Sequence, residues 1–87
     1  MEHEYVVWFR DPSLPPDDED YEWPATFVVV AAADTAAKAW GDTLASDYAG
    51  RTGQIVLCSK IVPDGTLDVE LPRVDDQERV SDIKIGW

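Results

Sequence analysis

The sequence predicts an α+β fold: a four-stranded, largely antiparallel sheet with one helix packed on one face. Three observations carry this. Short runs of β-branched and aromatic residues recur along the chain, a single long segment repeats its apolar residues at spacings of three and four, and proline, glycine and aspartate clusters separate these runs. The element order is ββαββ, with an optional short fifth strand at the carboxyl end, in one domain over residues 1–87.

EYVVWFR (residues 4–10) reads as the first strand. Tyr5, Val7 and Phe9 share one face and Val6 and Trp8 the other, so both faces are apolar and an interior position is expected. Residues 11–24, DPSLPPDDEDYEWP, form a long acidic, proline-rich loop. Pro12, Pro15 and Pro16 bar helix or ladder through its first half. ATFVVVAAA holds the second strand, from Thr26 to Ala31 or Ala32.

DTAAKAWGDTLASDYAGR is the helix. Asp34 is the expected N-cap and Gly50 the expected left-handed stop. Ala37, Trp40, Gly41, Leu44 and Tyr48 form its apolar stripe, which puts Trp40 and Leu44 against the sheet and Lys38, Asp42 and Ser46 toward water. A glycine inside a helix costs about 1 kcal/mol against alanine, so Gly41 implies close approach to the sheet. GQIVLCSKIV is the third strand. PDG (residues 63–65) makes a tight turn into TLDVEL (residues 66–71), a fourth strand with clean alternation. In IKIGW, Ile83, Ile85 and Trp87 alternate and suggest the fifth strand. The long first connection lets strand one lie between strands two and three, giving spatial order 2-1-3-4; the competing arrangement sets strand three beside strand two in parallel.

Charge narrows the function classes. Eighteen acids against seven bases give a formal net charge of −11. Binding to nucleic acid or to an anionic membrane draws on basic patches, so neither is expected as a direct partner. A cationic partner, met quickly and in a salt-sensitive way, is. Cys58 is the one cysteine, which rules out an internal disulfide. MEHEYVVWFRD is acidic where a signal peptide is basic, and no apolar run reaches membrane-spanning length, so the cytoplasm is the expected compartment.

Catalytic and metal chemistry find little support in the spacing. His3 is the one histidine, in an EHE context that reads as exposed surface, and no Ser–His–Asp or Cys–His set can be assembled around another base. Cys58, between Leu57 and Ser59, reads as a small core-filling residue. DDEDYE lacks the sixth-position glycine of a calcium loop: counted from Asp11 the sixth residue is Pro16, and counted from Asp18 it is Trp23. The glycines of AGRTG follow a helix and so cannot cradle phosphate at a helix start. No metal, cofactor or catalytic residue is expected.

The loop carries the remaining signal. Asp17, Asp18, Glu19, Asp20 and Glu22 supply carboxylates that would steer a cationic partner, and Tyr21 and Trp23 are the residue types that dominate binding hot spots. Leu14, Tyr21 and Trp23 can also anchor the loop to the body, in which case it is a pinned, solvated connection. The expectation is a small acidic, non-enzymatic interaction module that binds a protein with a cationic surface and also itself. The alternative is an inhibitor of a basic enzyme, either an immunity protein or a nucleic-acid mimic. A small enzyme working through surface carboxylates ranks third. Self-association is expected through the sheet face that a single helix leaves uncovered.

Overall fold

The computed structural model describes residues 1–62, 71–78 and 80–87. Two nine-residue strands come first, β1 (Glu2–Arg10) and β2 (Glu22–Val30). The long helix α1 (Asp34–Thr52), strand β3 (Ile55–Ile61), strand β4 (Arg73–Asp75) and a one-turn helix α2 (Asp82–Ile85) follow. The strands lie in the order β3-β1-β2-β4. β1 is antiparallel to both neighbours, so it occupies the interior position that its two apolar faces predict.

The fourth strand differs from expectation. Residues 63–70, which hold the expected turn and nearly all of TLDVEL, lie outside the described residues. The observed β4 is a three-residue pairing alongside β2, with Val28, Val29 and Val30 opposite Arg73, Val74 and Asp75. It runs parallel to β2, which makes the sheet mixed. Its sequence, RVD, has one apolar residue and no alternation long enough to read. The expected fifth strand is a helix instead. Ser81 caps α2 by accepting from the Lys84 amide, Gly86 closes it at φ 81°, and the turn leaves Ile83 exposed while Ile85 is buried.

Proline in β2 is tolerated for a geometric reason. The Val28 amide donates to Pro72 and the Val30 carbonyl accepts from Asp76, so the even-numbered residues of β2 turn their main-chain groups toward β4. Pro24 has the same parity and lies beyond the reach of β4. Its missing N–H therefore removes no ladder bond.

One face of the sheet meets α1. Tyr5, Val7 and Phe9 from β1, Ala25, Phe27 and Val29 from β2, and Val74 and Ile85 are buried there. The helix contributes small residues: Ala37, Gly41, Ala45 and Ala49 are its buried positions, four apart along one line. A Cβ on Gly41 would come within 2.5 Å of the Tyr5 ring, so glycine is what lets the helix sit this close. The larger side chains Trp40, Leu44 and Tyr48 pack along one flank of that line, partly buried.

Lys38 and Asp42 lie on the opposite flank, over β3, where they were expected to face water. They bond there to each other and to Ser59. Both helix ends also depart from the sequence reading. Ala33 is the N-cap residue and its methyl group can make no side-chain cap, while Asp34 is the first helical residue with its carboxylate beside His3; the left-handed stop is Gly53, whose amide donates to Ala49. Gly50 lies inside the last turns, exposed.

The other sheet face carries Val6, half-buried, and Trp8 from β1, with Cys58 from β3. Trp8 is 41% exposed, Cys58 opposite it is exposed, and Val6 is opposite Lys60. Cys58 is therefore not a core-filling residue: its position on β3 shares parity with Trp8, away from α1. The register shifts between Trp8 and Phe9, leaving Leu57 unpaired as a bulge and setting Val56 opposite Phe9.

Candidate interaction surface

The acidic loop is a direct extension of the β1–β2 hairpin. The last strand pair is Arg10 with Glu22, and beyond it the Asp11 amide donates to the Tyr21 carbonyl at 2.7 Å. Between these points the chain makes a series of turns. Asp11 accepts from the Ser13 amide and hydroxyl at 3.0 and 2.6 Å, an Asx turn at the entry. The Asp18 amide reaches the Pro15 carbonyl at 2.9 Å, closing a turn whose second residue is Pro16. Asp18 then forms a second Asx turn, accepting from the Asp20 amide at 2.8 Å, and the Tyr21 amide returns to the Asp18 carbonyl at 3.0 Å. Three prolines and two Asx turns thus give this segment a defined course.

Its base is clamped. The Arg10 guanidinium lies over the Tyr21 ring, 5.3 Å from the centroid, and pairs with Glu22 at 3.1 Å. Trp23 turns inward. Its ring lies 4.8 Å from Phe9 and 6.2 Å from Tyr48, and its indole N–H donates to Gln54 Oε1 at 3.0 Å. The Asp11 carboxyl is held below its ordinary range, first by the two Ser13 donors and then by Gln54. Gln54 therefore ties the loop to the α1–β3 connection.

The predicted residues divide accordingly. Trp23 belongs to the aromatic cluster of the core and Tyr21 to the clamp, half-buried. Glu22 is paired with Arg10, and Asp18 is half-buried with an oxygen committed to a turn. Asp17, Glu19 and Asp20 are exposed, and none of their carboxylates has a hydrogen-bond or ion-pair partner among the described residues. Arg10, Asp11, Ser13 and Gln54 complete the architecture and were not singled out from sequence. The spacing in DPS and in DED, an aspartate two residues before an amide that can return to it, is the legible signal for the two Asx turns.

A second polar cluster lies between α1 and β3. Asp42 Oδ1 accepts from the Tyr5 hydroxyl at 2.7 Å and from Ser59 Oγ at 2.5 Å, while Oδ2 accepts from Lys38 Nζ at 2.8 Å. Burial raises the Asp42 carboxyl, but the donors Lys38, Ser59 and Tyr5 outweigh it and hold the group below its ordinary value. Burial, and then the bond to Asp42, push the Tyr5 phenol well above its usual range, so it stays a donor. With three donors on one carboxylate and the ammonium paired, the cluster acts as a strut joining helix to strand.

His3 is 7% exposed, not the surface residue expected from its terminal position. Its Nδ1 meets Asp34 at 2.6 Å and its Nε2 meets the Ala31 carbonyl at 3.1 Å, so it staples the start of β1 to the start of α1. No helix among the described residues is long and apolar enough to cross a membrane.

Comparison with protein-family models, curated proteins and solved structures returns no match. The fold and the surface define a class by themselves: a small α+β domain whose hairpin presents a shaped, acid-rich loop.

Proposed function

We propose that this protein is a non-enzymatic interaction module whose 11–22 loop docks a protein with a cationic surface. One observation carries the reading. Asp17, Glu19 and Asp20 project without partners from a segment whose course is set by turns and whose base is clamped. Unpaired like charges on a loop repel one another and contribute nothing to folding, whereas a cationic partner would relieve that repulsion on contact. Prior shaping lowers the ordering cost of binding. In this reading Trp23 supports the loop from within, and the contact residues are the carboxylates with the exposed edge of Tyr21. The cytoplasm suits the role, because an exposed thiol such as Cys58 stays reduced there.

The test is the triple variant Asp17→Asn/Glu19→Gln/Asp20→Asn, which leaves every internal hydrogen bond of the loop in place. It should melt at or slightly above the parent temperature. In pull-downs from native extract at low and high salt, it should lose the basic partners that the parent captures at low salt. Retention of the same partners with the same salt response refutes the proposal.

A further inference from the structure

The flank of α1 that carries Trp40 faces the turn after β4 across a groove. Ala36, Ala39, Trp40 and Thr43 form its helix wall and Asp76 and Gln77 the other, around a volume of about 500 Å³. That lies within the span of small-molecule sites, about 300–1,000 Å³. Past Trp40 the groove continues to Leu44, Asp47 and Val80. The Glu78 amide closes the turn on the Asp75 carbonyl, and the second central residue, Gln77, stands at φ 67°. Left-handed backbone is strained for a residue other than glycine, and such positions cluster at ligand clamps.

The lining is short of donors, and that selects the ligand. The Thr43 hydroxyl donates to the Ala39 carbonyl at 2.9 Å, so its oxygen offers an occupant lone pairs only. The Trp40 indole N–H is buried out of reach of solvent and offers no donor either. The Gln77 amide, which both donates and accepts, is the exception. Asp47 pairs with Arg51 at 2.9 Å, whereas Asp76 is exposed and its carboxylate has no hydrogen-bond or ion-pair partner among the described residues. The uncompensated charge therefore lies at the Asp76 end. No lysine or arginine is among the described residues that line the groove, which argues against a phosphate or carboxylate ligand. Two alanine methyls and the Trp40 indole supply apolar and aromatic surface, which accepts a stem or ring and attracts a cation. We propose that this groove binds a small organic cation: a protonated amine or guanidinium on an apolar stem, its charge at Asp76 and its stem along Trp40. The site lies at the other end of β2 from the acidic loop, roughly 26 Å along the strand, and is independent of the loop's role.

Phenethylamine and agmatine are the probes, one an ammonium beside a ring and the other a guanidinium on an alkyl chain. Titrated into the isotope-labelled chain up to about 10 mM, each should give saturable amide NMR shifts centred on Ala39, Thr43 and Gln77. Phenethyl alcohol, the neutral counterpart, should give no saturable shift. Asp76→Asn should weaken both probes about fivefold, the upper range for a part-exposed ion pair, with an unchanged melting temperature because that carboxylate has no partner to lose. The loop variant Asp17→Asn/Glu19→Gln/Asp20→Asn removes charges beyond a Debye length and should alter the affinities less than about twofold. An end-blocked Ala-Arg-Ala tripeptide, which carries the same guanidinium on a protein side chain, should bind no tighter than agmatine. Absence of saturable shifts, shifts centred on the loop, equal affinity in Asp76→Asn, an equal loss in the loop variant, or tighter binding of the tripeptide would each overturn the proposal. Loss of protein partners by the loop variant leaves it untouched, and loss of the probes by Asp76→Asn leaves the loop reading untouched.

Discussion

Gly41→Ala adds one methyl group at the point where α1 lies closest to the sheet. The new Cβ would stand 2.5 Å from two carbons of the Tyr5 ring and 2.8 Å from a third. Unstrained carbon–carbon contacts begin at about 3.5 Å, so roughly 1 Å must be opened. Tyr5 cannot supply it. The ring is fully buried, lies 5.1 Å from Phe27, and its hydroxyl is held by Asp42. The helix must shift instead, and a clash fixed to the backbone belongs at the upper end of the overpacking range, about 3 kcal/mol. Alanine recovers about 1 kcal/mol of helix propensity, leaving a net loss of about 2 kcal/mol. For a domain of this size that lowers Tm by roughly 8–16 °C. Gly50→Ala is the internal control. It sits in the same helix with nothing within 4 Å of the added atom, so it should gain about 1 kcal/mol and raise Tm by about 4–8 °C. Thermal melts of both variants decide. A Gly41→Ala protein that melts at or above the parent temperature refutes the packing argument, whatever Gly50→Ala does.

Trp23→Ala should destabilise by about 3 kcal/mol, the low end for a large aromatic because the ring is only partly buried, and chemical denaturation measures it. An unchanged midpoint would return Trp23 to the partner surface. Tyr5→Phe removes one of three donors to Asp42 and should cost about 1 kcal/mol, read in the same way. Acid unfolding should report Asp82, whose carboxyl is lowered to about 2 by hydrogen bonds first from Arg51 and then from Trp87. A carboxyl lowered in the folded state supplies stability that is complete above its unfolded value, about 3.9, and is lost as pH falls through about 2. Tm should therefore fall between pH 4 and 2 (about two units) more steeply in the parent than in Asp82→Asn, and parallel curves would count against the Arg51–Asp82 pair.

Much of the architecture was legible because it rests on local periodicity. The alternation Tyr5, Val7, Phe9 marked the buried face of β1, and the doubly apolar strand marked its central place. Gly41 was legible as a close approach because its propensity cost demands a reason. What failed to read depended on distant partners. Asp34 looked like a cap, but it is the first helical residue and its carboxylate lies beside a histidine thirty-one positions earlier. Lys38 and Asp42 looked solvated because a helical wheel cannot show that small residues at Ala37, Gly41 and Ala45 draw the neighbouring flank onto β3. β4 is three residues of pairing with no pattern of its own, and IKIGW alternates as a strand would, yet Ser81 and Gly86 make it a turn of helix. In the loop the chemistry of the residues was readable. Their division into clamp, turn and unpaired carboxylate required the hairpin register.

The position of β1 has a consequence for how the chain opens. β1 is bonded along both edges, whereas β4 is joined to the sheet by a parallel pairing of three residues, the less stable geometry per residue. Local openings draw on the least supported segments first. Amide exchange should thus divide the sheet in two: protons of Tyr5, Val7 and Phe9 should leave only when the whole domain unfolds, while those of Val28 and Asp76, which bond across the β2–β4 seam, exchange earlier through a detachment that leaves the β3-β1-β2 core and its helix standing.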